Sequence, residues 1–262
     1  MKIVTLMENT ACRDNLAAEH GLSLYIETGS HKILFDAGQT HRFADNAEML
    51  GVDLSAVDMA ILSHGHYDHG GGLGRFLEVN QTAAVYLRRD AFGEHFNGSE
   101  KYIGLADSLR ESDRLIFTDD ALELAPGIIL RSGNELSRPH PFPSFGLNLR
   151  EQGQSRPDPF LHEQYLIVEE NGRRIVISGC SHKGILNILH WFSPDVLIGG
   201  FHFMKLDPAT DEKALTDAAE ALLAYPCVYY TGHCTGQAQF DFLKERMGHR
   251  LHALNAGTEI LL

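Results

Sequence analysis

One stretch, Ser63-His64-Gly65-His66-Tyr67-Asp68-His69-Gly70-Gly71, constrains the fold more than any other part of the chain. It follows the apolar run Val57–Leu62, whose length suits a buried strand. Four residues with metal-ligating side chains, His64, His66, Asp68 and His69, fall within six positions. Packing does not explain that spacing. Three imidazoles and a carboxylate crowded into one turn must desolvate together or repel, unless a cation binds them all. A solvated His-rich turn is the competing reading. The flanking glycines let the backbone turn sharply enough to aim successive side chains at one point.

The rest of the chain has the composition of an ordinary globular protein, 44% hydrophobic and 22% charged over 262 residues. That is ample for a full core. We expect a single domain over residues 1–262, with a substrate-side lobe at 88–160. The formal charge of −13 repels nucleic-acid phosphate, and no basic run compensates. No apolar stretch approaches the roughly eighteen residues of a membrane helix, and Met1–Glu8 reads as a strand, with no signal peptide. The four cysteines, Cys12, Cys180, Cys227 and Cys234, make no CxxC pair and no disulfide framework. A reduced, cytoplasmic chain is expected.

Along the chain, Leu22–Glu27 and Lys32–Asp36 alternate as hairpin strands around the turn Thr28-Gly29-Ser30-His31. Phe43, Ala44, Ala47 and Leu50 recur at helical spacing before Gly51. Residues 88–113 read as partly helical. Residues 132–160 read as loop, holding Pro139, Pro141, Pro143, Pro157 and Pro159, either a lid or a surface excursion. Arg138, Arg150 and Arg156 lie there, ready to meet an anionic substrate or to remain as solvated charge. Asn171-Gly172 marks a tight hairpin between Tyr165–Glu169 and Arg174–Ser178. Ser181 reads as the N-cap of the next helix. Val196–Ile198 and Val228–Tyr230 are further strands, each followed by a helix.

The remaining histidines and cysteines sit at strand ends. Cys180 and His182 follow one strand, His202 the next and His233 a third. Parallel neighbours bring such ends to one rim, where active sites gather in layered α/β proteins. A single His there is usually structural, but three junctions together with the cluster at 64–69 make a shared metal rim the better reading. His182 and Lys183 stand at a helix start, where free N–H groups and two basic side chains suit a phosphate. The competing reading is a satisfied first turn with Lys183 in solvent. His202 suits a phosphate contact or proton donation, or else a core histidine.

These features resemble the metallo-β-lactamase superfamily: Asp36 ending a strand, the Ser63–Gly71 stretch, and the late Gly232-His233. More narrowly, five segments resemble its dihydropterin-synthase-like branch. They are Glu19–Ser23, Leu34–Gln39, Ile177-Ser178-Gly179-Cys180-Ser181-His182-Lys183-Gly184-Ile185, Gly199-Gly200-Phe201-His202 and Thr231–Gly236. The resemblance implies an α/β fold, an αββα sandwich of two mixed sheets flanked by helices. It implies Zn²⁺ as cofactor, one or two ions, with Fe or Mn as alternatives. By motif, His64 and His66 would bind one metal and Asp68 and His69 a second, with His233 joining the second site. Asp36 would hold the loop by hydrogen bonds, a support metal sites commonly need. Where the superfamily usually has Gly-Asp, this chain has Gly179-Cys180. A thiolate can ligate or bridge zinc; otherwise Cys180 is a small buried residue and His182 or water takes its place. The mid-chain ligand position falls on His162, with its neighbour Glu163 as the alternative.

Three functions follow as expectations. The first is a metal-dependent hydrolase of a small, phosphorylated molecule, in which the metal makes water a nucleophile. Asp68 would orient that water, and His202 or His182 would assist the leaving oxygen. The second, implied by the branch, is a transferase condensing a dihydropterin pyrophosphate with an aminobenzene ribosyl phosphate. The third is a non-catalytic metal or ligand-binding protein, against which the crowding of ligands argues. The expected partner is a small anionic substrate, with no nucleic acid and no membrane, and the chain is compatible with a homodimer.

Overall fold

The computed structural model describes residues 1–262. The chain forms two compact units. The first comprises Met1–Asp119, Gly146–Gln164 and Asn255–Leu262; the second comprises Asp120–Phe145 and Tyr165–Leu254.

The first unit is built on a seven-stranded mixed sheet. Its order is Glu259–Leu261, Lys2–Met7, Ser23–Glu27, Lys32–Phe35, Met59–Ile61, Ala84–Arg88 and Leu115–Thr118. The first four pair antiparallel and the rest parallel. The expected hairpin is present, with Glu27 opposite Lys32. Phe35 and Ile61 are register partners, and so are Ile61 and Tyr86. The segments after these strands therefore start side by side, including the one that carries His64.

Helices Arg42–Met49 and Leu73–Val79 bury Phe43, Ala47, Leu73 and Phe76 against Leu6, Leu34 and Val85. Asn46 is also buried in this layer. Its Nδ2 donates to the carbonyls of Leu6 (2.7 Å) and Ala17 (2.8 Å), and its Oδ1 accepts from the Ala17 N–H (2.8 Å). Asn46→Ala orphans these backbone groups. We expect a loss of about 3 kcal/mol, read as a lower urea midpoint with unchanged slope.

A smaller antiparallel sheet, ordered Gln154–Pro157, Leu147–Glu151, Glu94–Asn97 and Lys101–Tyr102, also belongs to the first unit. It corrects two expectations. Residues 147–157 are a hairpin, not loop, and residues 88–113 hold short strands and 3₁₀ turns in place of an α-helix. The hairpin strands lack apolar alternation because most of their side chains are exposed. Its arginines serve the sheet. Arg156 pairs with Glu151 at 2.6 Å, and Arg150 lies 3.9 Å over the Phe96 ring while donating to the Ser99 carbonyl.

The second unit has its own seven-stranded sheet, ordered Leu251–Ala253, Val228–Thr231, Val196–Ile198, Arg173–Ile177, Tyr165–Glu170, Ile128–Arg131 and Ala121–Ala125. The first four are parallel and the others antiparallel. Asn171 and Gly172 both have positive φ, 53° and 73°, as a two-residue hairpin of this kind requires. Helices Ile185–Phe192, Glu212–Leu223 and Gln237–Met247 contribute Ile188, Leu215 and Leu243 to a core with Tyr165, Leu197 and Phe201. Ile177, Ile198 and Tyr230 share one register. The segments bearing Cys180, His202 and His233 thus leave this sheet at one edge.

Ser181 is not the helix cap. The helix begins at Ile185, and Gly184 holds the cap position with φ 90°. Ser181 instead takes φ 58° and shares a hydroxyl contact of 2.9 Å with Ser178. No helix is long and apolar enough to cross a membrane.

Candidate metal centre

In the first unit, Asp36 organises the ligand turn. Its backbone turns at φ 59°, tied by its N–H to the Ile61 carbonyl (2.9 Å). Its carboxylate is fully buried and accepts three hydrogen bonds: from the Ser63 N–H (2.7 Å), the Ser63 hydroxyl (2.7 Å) and His69 Nδ1 (2.6 Å). The single Ser63 hydroxyl proton is committed to Asp36. Its oxygen therefore accepts from His64 Nδ1, 2.8 Å away. Both His64 and His69 are in consequence held as Nδ1–H tautomers, and Nε2 is the lone-pair nitrogen of each. This is how a carboxylate prepares imidazoles for a metal. It matches the supporting role that the family resemblance implied for Asp36.

The ring centroids of His64 lie 4.5 Å from His66 and 4.1 Å from His69. Asp68 Oδ2 is 3.9 Å from His69 Nε2. Burial, followed by the neighbouring His162 imidazole, holds the His66 pKa well below its ordinary value, so His66 is neutral. Imidazole nitrogens and a carboxylate oxygen are donor types that suit first-row divalent ions, and His64 offers its ligand atom beside those of both His66 and His69. The glycines work by close approach and not by positive φ. A Cβ on Gly65 would stand 1.9 Å from the Ala91 carbonyl oxygen, and one on Gly72 would stand 2.1 Å from that of Ala37.

His162 uses one ring nitrogen to hold the turn that carries His64 and His66. Its Nδ1 accepts the Gly65 N–H at 2.8 Å, which puts the proton on Nε2. That nitrogen makes a loose 3.4 Å contact with Asp158 Oδ2. His95 Nδ1 lies 2.7 Å from the same oxygen, and His95 Nε2 lies 3.2 Å from the Asp90 carbonyl. Ligand-type atoms of His66, His95, Asp158 and His162 all lie within 4.8 Å of one another. The Gly65 N–H occupies the Nδ1 lone pair of His162, whose buried Nε2 has no hydrogen-bond partner, and both nitrogens of His95 face acceptors. His162 supports the turn at Gly65, and Asp158 supports His162. Glu163 is fully buried.

Three residues here carried no sequence signal as a group. His95 and Asp158 are 63 positions apart. His20, in the Glu19–Ser23 segment, places Nε2 3.2 Å from Asp68 Oδ2. Its neighbour Glu19 fixes the adjoining loop through the N–H groups of Gln39 and Thr40.

In the second unit, Cys180, His182, Lys183, His202 and His233 are all buried. Lys183 is not a phosphate contact. Its Nζ donates to the Ser132 carbonyl at 2.7 Å and lies 5.7 Å from the Tyr165 ring centroid, so its charge is turned into the unit's interior. The His182 and His202 rings are 4.4 Å apart. Neither ring nitrogen of His202 has a hydrogen-bond partner. His202 and His233 both hold positive φ, 55° and 49°, a conformation that non-glycine residues adopt mainly where surroundings demand it. Burial opposes ionisation of Cys234, yet the neighbouring Cys180 thiol and the His202 and His233 imidazoles carry its thiol well below the ordinary range. Close by, Phe142, Phe145, Gly184, Phe203, Leu206 and Ala218 line part of an apolar cavity of about 530 Å³.

Residues 17–226 match the family model of the metallo-beta-lactamase superfamily. The chain is 29% identical over 286 aligned residues to the 7,8-dihydropterin-6-methyl-4-(beta-D-ribofuranosyl)-aminobenzene-5′-phosphate synthase of Methanocaldococcus jannaschii, covering 99% of this chain and 96% of that protein. Among solved structures it resembles Tm1679, described as a metal-dependent hydrolase of the beta-lactamase superfamily, with TM-score 0.86 and 27% identity over 100% of this chain and 99% of that one. The metallo-beta-lactamase fold protein YhfI from Bacillus subtilis shares the fold at TM-score 0.60 and 15% identity, over 99% and 98% of the two chains. The α/β class with mixed sheets and flanking helices is thus the expected one, and by sequence and by fold the chain belongs to the metallo-β-lactamase superfamily.

Proposed function

We propose that this chain is a metal-dependent hydrolase of a small, phosphorylated substrate, with its metal centre built on His64, His66, Asp68 and His69. The observation that carries the proposal is the buried Asp36 carboxylate, which fixes the tautomers of two of these histidines through Ser63 and directly. A bound Zn²⁺, or Fe or Mn in its place, would supply Lewis acidity and make water a nucleophile near neutral pH. The chain's own residues then have distinct tasks. Asp36 keeps Nε2 of His64 and His69 as lone-pair donors. Asp68 offers a carboxylate oxygen able to orient water and hold a proton, and His20, 3.2 Å away, is placed to exchange that proton. On the sequence motif alone, His233 is taken as a further ligand and His182 as a contact for the substrate's anionic group.

The test is turnover across phosphomonoesters, phosphodiesters, lactones and thioesters. We expect phosphoester hydrolysis that chelator abolishes and His66→Ala lowers by about 10³-fold, since Lewis-acid stabilisation is worth several kcal/mol and each 1.36 kcal/mol is tenfold. No metal-dependent turnover on any of them would count against a hydrolase. The name of the Methanocaldococcus relative favours one other reading, a synthase. Incubation of a dihydropterin pyrophosphate with an aminobenzene ribosyl phosphate, followed by mass spectrometry, separates the two: a condensed adduct identifies the synthase and free pterin alcohol the hydrolase.

A further inference from the structure

We infer that Cys180, His202 and Cys234 of the second unit form a thiolate-rich cation site that takes a soft ion of the Zn²⁺ or Cu⁺ class. The inference starts from register. Strands Arg173–Ile177, Val196–Ile198 and Val228–Thr231 are adjacent and parallel, with Ile177, Ile198 and Tyr230 level. The three segments that follow them leave side by side. Two glycines then close the distance. A Cβ on Gly199, whose φ is 139°, would stand 2.1 Å from the Ser178 carbonyl oxygen, and a Cβ on Gly200 would stand 2.3 Å from Cys234 Sγ. The sulfur of Cys234 thus occupies space that only a glycine leaves open, 3.5 Å from the Cys180 carbonyl.

The result is that Sγ of Cys180, a ring nitrogen of His202 and Sγ of Cys234 lie within 4.8 Å of one another, all buried. Zinc–sulfur bonds of about 2.3 Å and zinc–nitrogen bonds of about 2.0 Å place tetrahedral ligands roughly 3.5–3.8 Å apart. Closure onto an ion therefore asks for shifts of about 1 Å. The independent observation is His202 itself. It is 7% exposed, and both ring nitrogens are buried without a hydrogen bond. A buried imidazole left in that state is costly, and a cation supplies what the protein does not. Two sulfurs and one imidazole select a soft ion, unlike the nitrogen-and-oxygen set of the first unit. Three protein ligands leave one position open. His202 then ligates, a different task from the phosphate or proton role suggested by its position after a strand. Cys180 acquires its partners within its own unit.

The full-length protein, purified without chelator and reloaded with Co²⁺ alone, gives the test through thiolate-to-cobalt charge-transfer absorption in the near ultraviolet. No ligand proposed for the first unit contains sulfur. We expect the band in the wild type and in His64→Ala. It should fall by about half in Cys234→Ser or Cys180→Ser and vanish in the double variant. Cobalt affinity should fall at least about tenfold in His202→Ala. Cys234→Asp keeps an anionic ligand and guards against a folding defect, since it should retain the ion with half the band. Three results overturn the inference: no thiolate band, a band unchanged by both Cys234→Ser and His202→Ala, or loss of the two thiols to a disulfide in the protein as purified.

Discussion

Asp36→Asn should lower metal affinity by about 100-fold or more, although the substitution is isosteric. A supporting hydrogen bond to one ligand is typically worth 10–100-fold in affinity, and Asp36 serves two ligands. An amide cannot do what the carboxylate does. One of its two heads is a donor, whereas Ser63 N–H, Ser63 Oγ and His69 Nδ1 all require acceptors. The amide NH₂ would press His69 toward the wrong tautomer, placing the proton on Nε2. Asp36→Ala should be about as damaging, and Asp36→Glu no rescue, because the site is fully buried and allows no added methylene. Competition with a chromogenic chelator gives the affinity. An Asn variant that binds as tightly as wild type would show that tautomer control is not what Asp36 contributes.

The second large effect concerns stability. Asp158→Asn should cost about 3 kcal/mol at pH 7, the upper end for hydrogen bonding to a buried charged group. Burial alone would raise the Asp158 carboxyl, but the neighbouring His162 and His95 imidazoles hold it well below the ordinary range in the folded chain. A carboxyl with a depressed folded pKa stabilises fully above its unfolded value of about 4, and that contribution is lost as pH falls toward the folded value. The gap between wild type and Asp158→Asn should therefore be constant from pH 7 to about 4 and narrow below it. Urea titrations at a series of pH values read this directly. A gap that widens in acid would reverse the sign and remove Asp158 from its assigned place. Because His162 in turn holds the Gly65 N–H, the same variant should also weaken metal binding, by about tenfold.

Much of this molecule is readable from its sequence. The turn at 63–71 stands out because four side chains of metal-ligating type in six positions have no packing explanation. The hairpins at Thr28–His31 and Asn171-Gly172 followed from turn chemistry, and the helix through Phe43 and Ala47 from its period. What stayed hidden was whatever depended on partners distant in sequence. His95 and Asp158 meet across 63 positions, and nothing local marks either. Lys183 beside His182 suits a phosphate by type, but Ser132 and Tyr165 capture it from elsewhere in its unit. His162 has the right residue type for a ligand, and only the Gly65 N–H reveals which nitrogen carries its proton. The strands at 147–157 show no alternation because solvent covers most of them. Ser181 lies four residues before the helix that it was expected to cap, because the loop needs a left-handed residue there.

The central claim is that residues 64–69 bind metal on a frame prepared by Asp36. Metal content per chain, measured on protein purified without chelator for the wild type and for His66→Ala and His69→Ala, tests it most directly. We predict that each variant loses about one ion per chain relative to the wild type while keeping its fold by circular dichroism. Variants that both retain as much metal as the wild type would contradict the account.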